Sequence, residues 1–354
     1  MSWVERLARP DIVALVPYEH AAWQPALERM HANELPWRQP GDGTRAGLNR
    51  YPEPQPVELI AQLAALYGVA PQCLLVTRGS DEAIDLLVRA FCRAGADAVI
   101  VCPPTFGMYA LAAAIQGAQV IQVPLRAASG FDLDEALLLE RCTEQVKLVF
   151  LCSPNNPTGN LLTEESVLRI AERLEGRAIL VVDEAYIEFA SAASLARRVP
   201  QLPQLAVLRT LSKAHGLAGA RLGSLIAAAE VITLLRKVIS PYAIAQLSVE
   251  CALQCLESSR LAASRQCVAS IQAERTRLAR ELASCRPVER VYPSAANFLT
   301  VDFITADAAE QALSRARATG LLIRDVRRQP ALARALRITV GTPAQNDLLL
   351  EALR

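Results

Sequence analysis

The chain has 354 residues, long for one domain and natural for two. Hydrophobic residues make up 52% of it, so a sizeable core can be buried, and 37 Lys plus Arg against 36 Asp plus Glu leave a net charge of +1. That balance argues against a nucleic-acid-binding face, which would be strongly basic, yet leaves room for a local basic pocket that takes a small anion.

Nine cysteines are scattered without any C-x-x-C pair, several inside apolar runs such as Val99-Ile100-Val101-Cys102. They read as buried free thiols in a reducing compartment. The three histidines, His20, His31 and His215, are not spaced as metal ligands, so no metal site is expected. The N-terminus lacks the apolar core of a secretory signal, and no apolar run approaches a membrane span. A soluble, cytoplasmic protein with no membrane partner is the expectation.

Residues 1–56 are irregular and rich in Pro, Trp and Arg, which rules out long helices there. Residues 1–40 read as an N-terminal arm packing with the small domain or a partner subunit. From residue 57 the pattern alternates. Val57 to Tyr67 has helical spacing, and in 81–93 Ala83, Ile84, Leu87, Ala90 and Phe91 share one face. Asp81 and Glu82 then fall in the first turn, where the helix dipole favours negative charge. Short apolar runs follow at 97–102, 118–123, 146–151, 178–182, 205–208 and 222–227, several separated by helical stretches such as 163–174. Most lack strict alternation, which suits strands covered on both faces of a mostly parallel sheet. Residues 228–285 read as mostly helical. A second αβ pattern closes the chain, with strands at 297–303, 320–324 and 336–340 and helices at 305–319 and 343–353. The division predicted is a large α/β domain over 41–245 and a smaller α/β domain over 246–354.

Four motifs stand at or beside predicted strand ends, where open α/β sheets bind ligands. The first, Arg78-Gly79-Ser80-Asp81-Glu82, precedes the amphipathic helix. Glycine allows close backbone approach and the helix N-terminus offers unpaired N–H groups, a cradle for phosphate. Alone, it reads as an ordinary helix start capped by Ser80. The second, Ser153-Pro154-Asn155-Asn156-Pro157-Thr158-Gly159, would hold Asn156 rigidly enough to bond a phenolic oxygen; otherwise it is a plain turn.

The third, Val181-Val182-Asp183-Glu184-Ala185-Tyr186, puts a carboxylate directly after five apolar residues. An unpaired buried charge is costly, and a pyridinium N–H would pair with it and keep the ring an electron sink. Tyr186 could reach the same ring's phenolic oxygen. The fourth runs Arg209-Thr210-Leu211-Ser212-Lys213-Ala214-His215-Gly216 and on to Arg221. Lys213 could form an imine with an aldehyde, Thr210 and Ser212 offer hydroxyls to a phosphate, and Arg221 a guanidinium. A lone lysine in such a place is ordinarily just solvated; the company of the other three motifs changes that reading. His215 reads as a packing residue rather than a base.

Together these residues resemble the fold-type I aminotransferases, which use pyridoxal 5'-phosphate. Within them the chain is most similar to the histidinol-phosphate aminotransferases, through Asn49-Arg50-Tyr51-Pro52-Glu53, Pro104-Thr105-Phe106-Gly107-Met108-Tyr109, Asp183-Glu184-Ala185-Tyr186-Ile187-Glu188-Phe189 and Leu336-Arg337-Ile338-Thr339-Val340-Gly341-Thr342. The resemblance implies a seven-stranded, mostly parallel sheet with helices on both faces, a smaller C-terminal α/β domain and an N-terminal arm. It implies that Lys213 is the Schiff-base lysine and proton shuttle, that Asp183 pairs with the ring nitrogen, and that Asn156 and Tyr186 bond the phenolic oxygen. Lys213, Asp183 and Tyr186 would carry the catalysis. Tyr109 would stack on the ring. Gly79, Ser80, Asp81, Thr210, Ser212 and Arg221 would hold the phosphate, with Tyr51 arriving from the other subunit of a homodimer. Tyr18, Asn33, Asn156, Arg324 and Arg337 would face the substrate. Phe106, His215 and His31 stand where the family usually has Tyr, Phe and Asn.

The implied reaction is a ping-pong transfer of the amino group of L-histidinol phosphate to 2-oxoglutarate, giving imidazole acetol phosphate and L-glutamate in histidine biosynthesis. An aromatic amino acid aminotransferase or a threonine-phosphate decarboxylase would carry the same cofactor motifs. A non-catalytic regulator on this fold would need a DNA-binding module, and no basic extension or helix-turn-helix segment precedes the arm.

Overall fold

A computed structural model of the chain describes residues 2–21, 24 and 27–354. In chain order the elements are α1 (Trp3–Leu7), α2 (Pro10–Ala14), α3 (Val57–Tyr67), β1 (Leu74–Thr77), α4 (Ser80–Phe91), β2 (Ala98–Val101), α5 (Met108–Gln116), β3 (Gln119–Gln122), α6 (Glu135–Arg141), β4 (Val146–Cys152), α7 (Glu164–Arg173), β5 (Ile179–Asp183), β6 (Leu205–Thr210) and β7 (Gly223–Ile226). There follow α8 (Ala229–Leu235), α9 (Gln246–Cys255), α10 (Ser258–Ala283), β8 (Val288–Val291), β9 (Phe298–Phe303), α11 (Ala306–Ala318), β10 (Arg324–Asp325), β11 (Ala335–Thr339) and α12 (Pro343–Leu353).

The first seven strands form one sheet in the order β1-β7-β6-β5-β4-β2-β3. Strand β7 runs antiparallel to both neighbours, and the pairings from β6 across to β3 are parallel. Because strand side chains alternate, the sheet feeds two cores. Val149, Leu151, Leu180, Val182 and Val207 point to one face and meet α3, α7 and α9. Leu148, Phe150, Ile179, Val181 and Leu208 point to the other and meet α4, α5 and α8. Burial on both faces explains why these strands read as unbroken apolar runs. Strand β1 escaped the sequence reading: it is only four residues long and runs straight into the Arg78-Gly79 turn.

The second sheet is four-stranded and antiparallel, β10-β11-β9-β8. Its core gathers Leu278 and Leu282 of α10, Val301 and Phe303 of β9, Ile338 of β11 and Leu349 and Leu353 of α12. The strand expected over 320–324 forms only at Arg324–Asp325, sharing one residue with that expectation. No described helix is long and apolar enough to cross a membrane.

Two expected boundaries move. Val4, Leu7 and Ala8 sit in the core with Phe91 and Val88, and Arg9 N–H bonds Ala90 carbonyl at 3.0 Å, so the start of the arm packs on the large sheet's helices. The i, i+3 spacing of Val4 and Leu7 puts both on one face of the short helix α1, and Ala8, its extended C-cap residue, is buried beside them. At the other end, Val249 and Ala252 of α9, with Leu256 after it, belong to the large sheet's core. Leu261 near the start of α10 still packs against that core, whereas Leu278 and Leu282 near its end belong to the second sheet's core.

Candidate active site

The carboxyl ends of β4, β5 and β6 open into a cavity of about 900 Å³, whose far wall is the Arg324–Gln329 segment with Arg337. Cys152 and Asp183 are register neighbours at its floor. Parallel strands that end together deliver their following turns to one place, which is why three motifs distant in sequence meet here.

At one end Gly79, not Ser80, is the cap residue of α4, and no side chain caps the helix. The expected Ser80 cap fails because Ser80 is already the first helical residue, and the first-turn N–H groups are left for a ligand. Gly79 has φ +80, and a Cβ there would lie 2.7 Å from an Arg221 nitrogen. A Cβ on Gly223 would lie 2.5 Å from Gly79 C, so β7 and this turn touch through bare backbone. Arg221, itself left-handed at φ 54, reaches Asp81 at 3.0 Å. Thr210 Oγ1 lies 2.9 Å from Ser212 Oγ and accepts from Ser212 N–H at 3.1 Å. Helix N-terminus, guanidinium and hydroxyls thus converge as an anion cradle.

At the floor Asp183 is buried; Oδ1 accepts from Ala185 N–H at 3.1 Å and Oδ2 from the Tyr109 hydroxyl at 2.8 Å. Burial pushes its pKa up to about 6, against those two donors. A carboxylate so placed calls for a cationic partner in the cavity. The amine of Lys213 lies 5.6 Å from the Tyr186 ring centre. Burial first, then the positive charges of Arg337 and Arg221, lowers its pKa, with Asp81 and Asp183 opposing. Burial also raises the Tyr186 hydroxyl. A buried acid for a ring nitrogen, a lysine with its amine made easier to deprotonate and a phosphate cradle are what pyridoxal phosphate requires, so the residues present fit it.

Asn156 lines the cavity and its Oδ1 accepts from Arg337. Its neighbour Asn155 is buried, holding Pro104 carbonyl at 2.8 Å and bonded to Thr105 and Thr158, which fixes the turn. Arg324 and Arg337 face each other across the β10–β11 pair. Burial, then Arg324, lowers the pKa of Arg337. Arg328, on the loop after β10, is a third guanidinium on the same wall.

Tyr109 does not stack where the resemblance placed it. It is fully buried behind Asp183, its ring parallel to Phe150 at 5.0 Å. Helix α5 starts at Met108, so Tyr109 turns inward to β4, while Phe106, just before the helix, lines the cavity. Phe106 had stood out in the sequence only as a departure from the family. Nor do Tyr18, Asn33 and Tyr51 line this cavity. Tyr18 is 66% exposed beside a separate cleft with Glu53 and Arg236, and Asn33 takes a left-handed turn at φ 56. Tyr51 stacks on Tyr242 at 4.8 Å. The arm is tied to itself instead, Glu34 pairing with Arg29 at 2.8 Å and Arg50 at 3.0 Å. His215 is outside the cavity, its Nε2 3.8 Å from Glu188 in a buried cluster with Arg209. Among the described residues no group of three or more His, Cys, Asp or Glu could hold a metal.

Residues 27–353 match the family model for aminotransferase class I and II. The chain is 50% identical to a histidinol-phosphate aminotransferase of Xylella fastidiosa (strain 9a5c), over 92% of this chain and 88% of that one. It is 47% identical to that of Stenotrophomonas maltophilia (strain R551-3), over 98% and 95%. Among solved structures, the histidinol-phosphate aminotransferase of Sinorhizobium meliloti in complex with pyridoxal-5'-phosphate is 28% identical with a TM-score of 0.78, covering 86% of this chain and 82% of that one. The L-threonine-O-3-phosphate decarboxylase of Porphyromonas gingivalis shares the fold at 25% identity and TM-score 0.73, over 86% and 89%. With its family model spanning nearly the whole length and relatives near half identity, the chain belongs to the class I and II aminotransferases.

Proposed function

We propose that this chain is a pyridoxal-phosphate-dependent transaminase that passes the amino group of L-histidinol phosphate to 2-oxoglutarate, in two half-reactions. The observation that carries the reading is one cavity with two charged ends: Asp183, Lys213 and the α4 cradle at one, Arg324 and Arg337 at the other. Identities of 47% and 50% to histidinol-phosphate aminotransferases over more than nine-tenths of the chain favour the transaminase reading.

Bound pyridoxal phosphate supplies an electron sink for the charge left at the substrate Cα. The chain's residues do the rest. Asp183 presents a negative charge to the ring nitrogen. The α4 N-terminus, Thr210, Ser212 and Arg221 anchor the phosphate. Asn156 and Tyr186 flank the phenolic oxygen. Lys213 Nζ, eased toward the neutral amine by burial and two arginines, would take and return the proton at the substrate Cα as general base and acid. Arg324 and Arg337 bind the phosphate of one substrate and the distal carboxylate of the other, since a guanidinium fork fits both.

The reading includes a homodimer in which Tyr51, 51% exposed here, completes the partner's phosphate site, with Tyr18 and Asn33 approaching the partner's substrate. The exposed apolar side chains of Met30 and Trp37 on the same arm support a covered face. It also includes a large domain that takes in α9, a small domain that begins within α10, and residence in the cytoplasm, where nine unpaired cysteines would stay reduced. Steady-state transamination of histidinol phosphate with 2-oxoglutarate, with phenylalanine and threonine phosphate as competitors, tests the assignment. Histidinol phosphate is expected to be the preferred donor; a preference for either competitor would overturn it.

A further inference from the structure

The buried Tyr109 has no role in the functional reading above, yet it makes the shorter of the two hydrogen bonds that Asp183 accepts. Its ring is clamped parallel to Phe150 and edge-on to Phe106. Its hydroxyl donates to Asp183 Oδ2 at 2.8 Å while Ala185 N–H holds Oδ1. Both carboxylate oxygens are therefore fixed from the protein side before anything binds. The other groups facing Asp183 are the Cys152 thiol, Asp81, Lys213 and Tyr186. Burial keeps the Cys152 thiol neutral, and it donates to Pro154 carbonyl at 3.4 Å rather than to Asp183; Asp81 repels the charge and Lys213 favours it.

We propose that Tyr109 is a positioning residue: its hydroxyl holds Asp183 ionised and aimed into the cavity, so that a protonated ring nitrogen meets a preformed negative charge. The inference rests on the cofactor reading above. A hydrogen bond to a charged group in a dry site strengthens with the low dielectric around it, and losing one partner leaves the other underpaired. Without the hydroxyl, Asp183 would take up a proton at higher pH, and cofactor binding would first have to expel it.

Tyr109→Phe keeps the ring and its stack and removes only the oxygen. The measurement is the dissociation constant of pyridoxal phosphate from the apo-protein by absorbance titration across pH 6 to 8.5, read as the difference from wild type. The variant is expected to bind about ten-fold more weakly at neutral pH, the size of a lost charge-assisted bond. The gap should narrow as pH rises, with the KM for histidinol phosphate within about two-fold of wild type. Phe150→Leu, which loosens the stack and spares the hydroxyl, is expected to lower the melting temperature and leave the pH midpoint in place. An unchanged affinity and pH profile in Tyr109→Phe overturns the proposal, as does an equal pH shift in Phe150→Leu. Wild-type binding and turnover are read in the same series: if wild type transaminates and Tyr109→Phe matches it, only this inference falls, whereas a wild type that binds no cofactor removes the functional reading itself.

Discussion

The two walls of the cavity are built on opposite plans. On the large-sheet wall, Asp183, Tyr109 and Thr210 are buried and bonded to fixed partners, and the turn at Gly79 is locked against β7. On the small-sheet wall, the guanidinium groups of Arg324 and Arg328 stand exposed, while that of Arg337 is half-buried and tied to Asn156. Burial with full hydrogen bonding makes one geometry rigid. Exposed guanidinium groups on long stems can adjust. A site that keeps one cofactor and admits two substrates of different length needs rigidity at the first wall and latitude at the second.

Breaking the rigid wall should cost most. Lys213→Ala should remove the visible absorbance of the lysine–cofactor linkage and lower turnover by up to about 10⁴-fold, the upper range for losing a positioned acid–base group. A variant that kept the band would show that another lysine holds the cofactor.

The second wall should give smaller and graded losses. Arg337→Ala should raise the KM for histidinol phosphate by roughly 10- to 100-fold, as expected for a charge-assisted bond, with the cofactor spectrum retained. Arg324→Ala should cost less, because Arg324 is exposed whereas Arg337 is half-buried and bonded to Asn156. Equal losses from the two would mean that the difference in anchoring has no bearing on binding.

The smallest effect separates the walls by pH. The stability that comes from burying Asp183 uncharged is complete below its ordinary pKa of 3.8 and is lost as pH rises through about 6. In the cofactor-bound protein the charge is paired and that loss is relieved. The gap in melting temperature between the loaded protein and the apo-protein should therefore widen from pH 5 to pH 7.5, as differential scanning calorimetry can measure at saturating cofactor. A constant gap would mean that Asp183 is already compensated without the ring.

The rigid wall was also the legible one. Asp183 follows an apolar run directly and Asn156 and Lys213 lie in the turns just after one, and the carboxyl ends of parallel strands converge, so chain position alone brings them together. Tyr109 was misread because Phe106 and Tyr109 are three residues apart, one helical turn; only the start of α5 at Met108 decides which of them faces the cavity. The five residues of α1 are too few for periodicity to speak, although Val4, Leu7 and Ala8 were visible as apolar. Helix α9 was assigned to the wrong core because its pattern gives its buried face but not which sheet lies beneath it. For Tyr18, Asn33 and Tyr51, nothing in an irregular arm specifies which cavity it approaches.

The contact between Gly223 and the Gly79 turn bears on any attempt to redesign this enzyme. A side chain at Gly223 would meet backbone atoms at 2.5 to 2.9 Å, and backbone cannot step aside as a rotamer can. The spacing between the strand and the cradle is thus set by the absence of a single carbon atom, and the two glycines form one unit that libraries should leave untouched. Gly107, on the cavity rim, and Gly219, near Arg221, are different: a Cβ at either meets nothing within 4 Å. New substrate preferences should be sought at Gly107, which lines the cavity and where a side chain can be added without moving the floor.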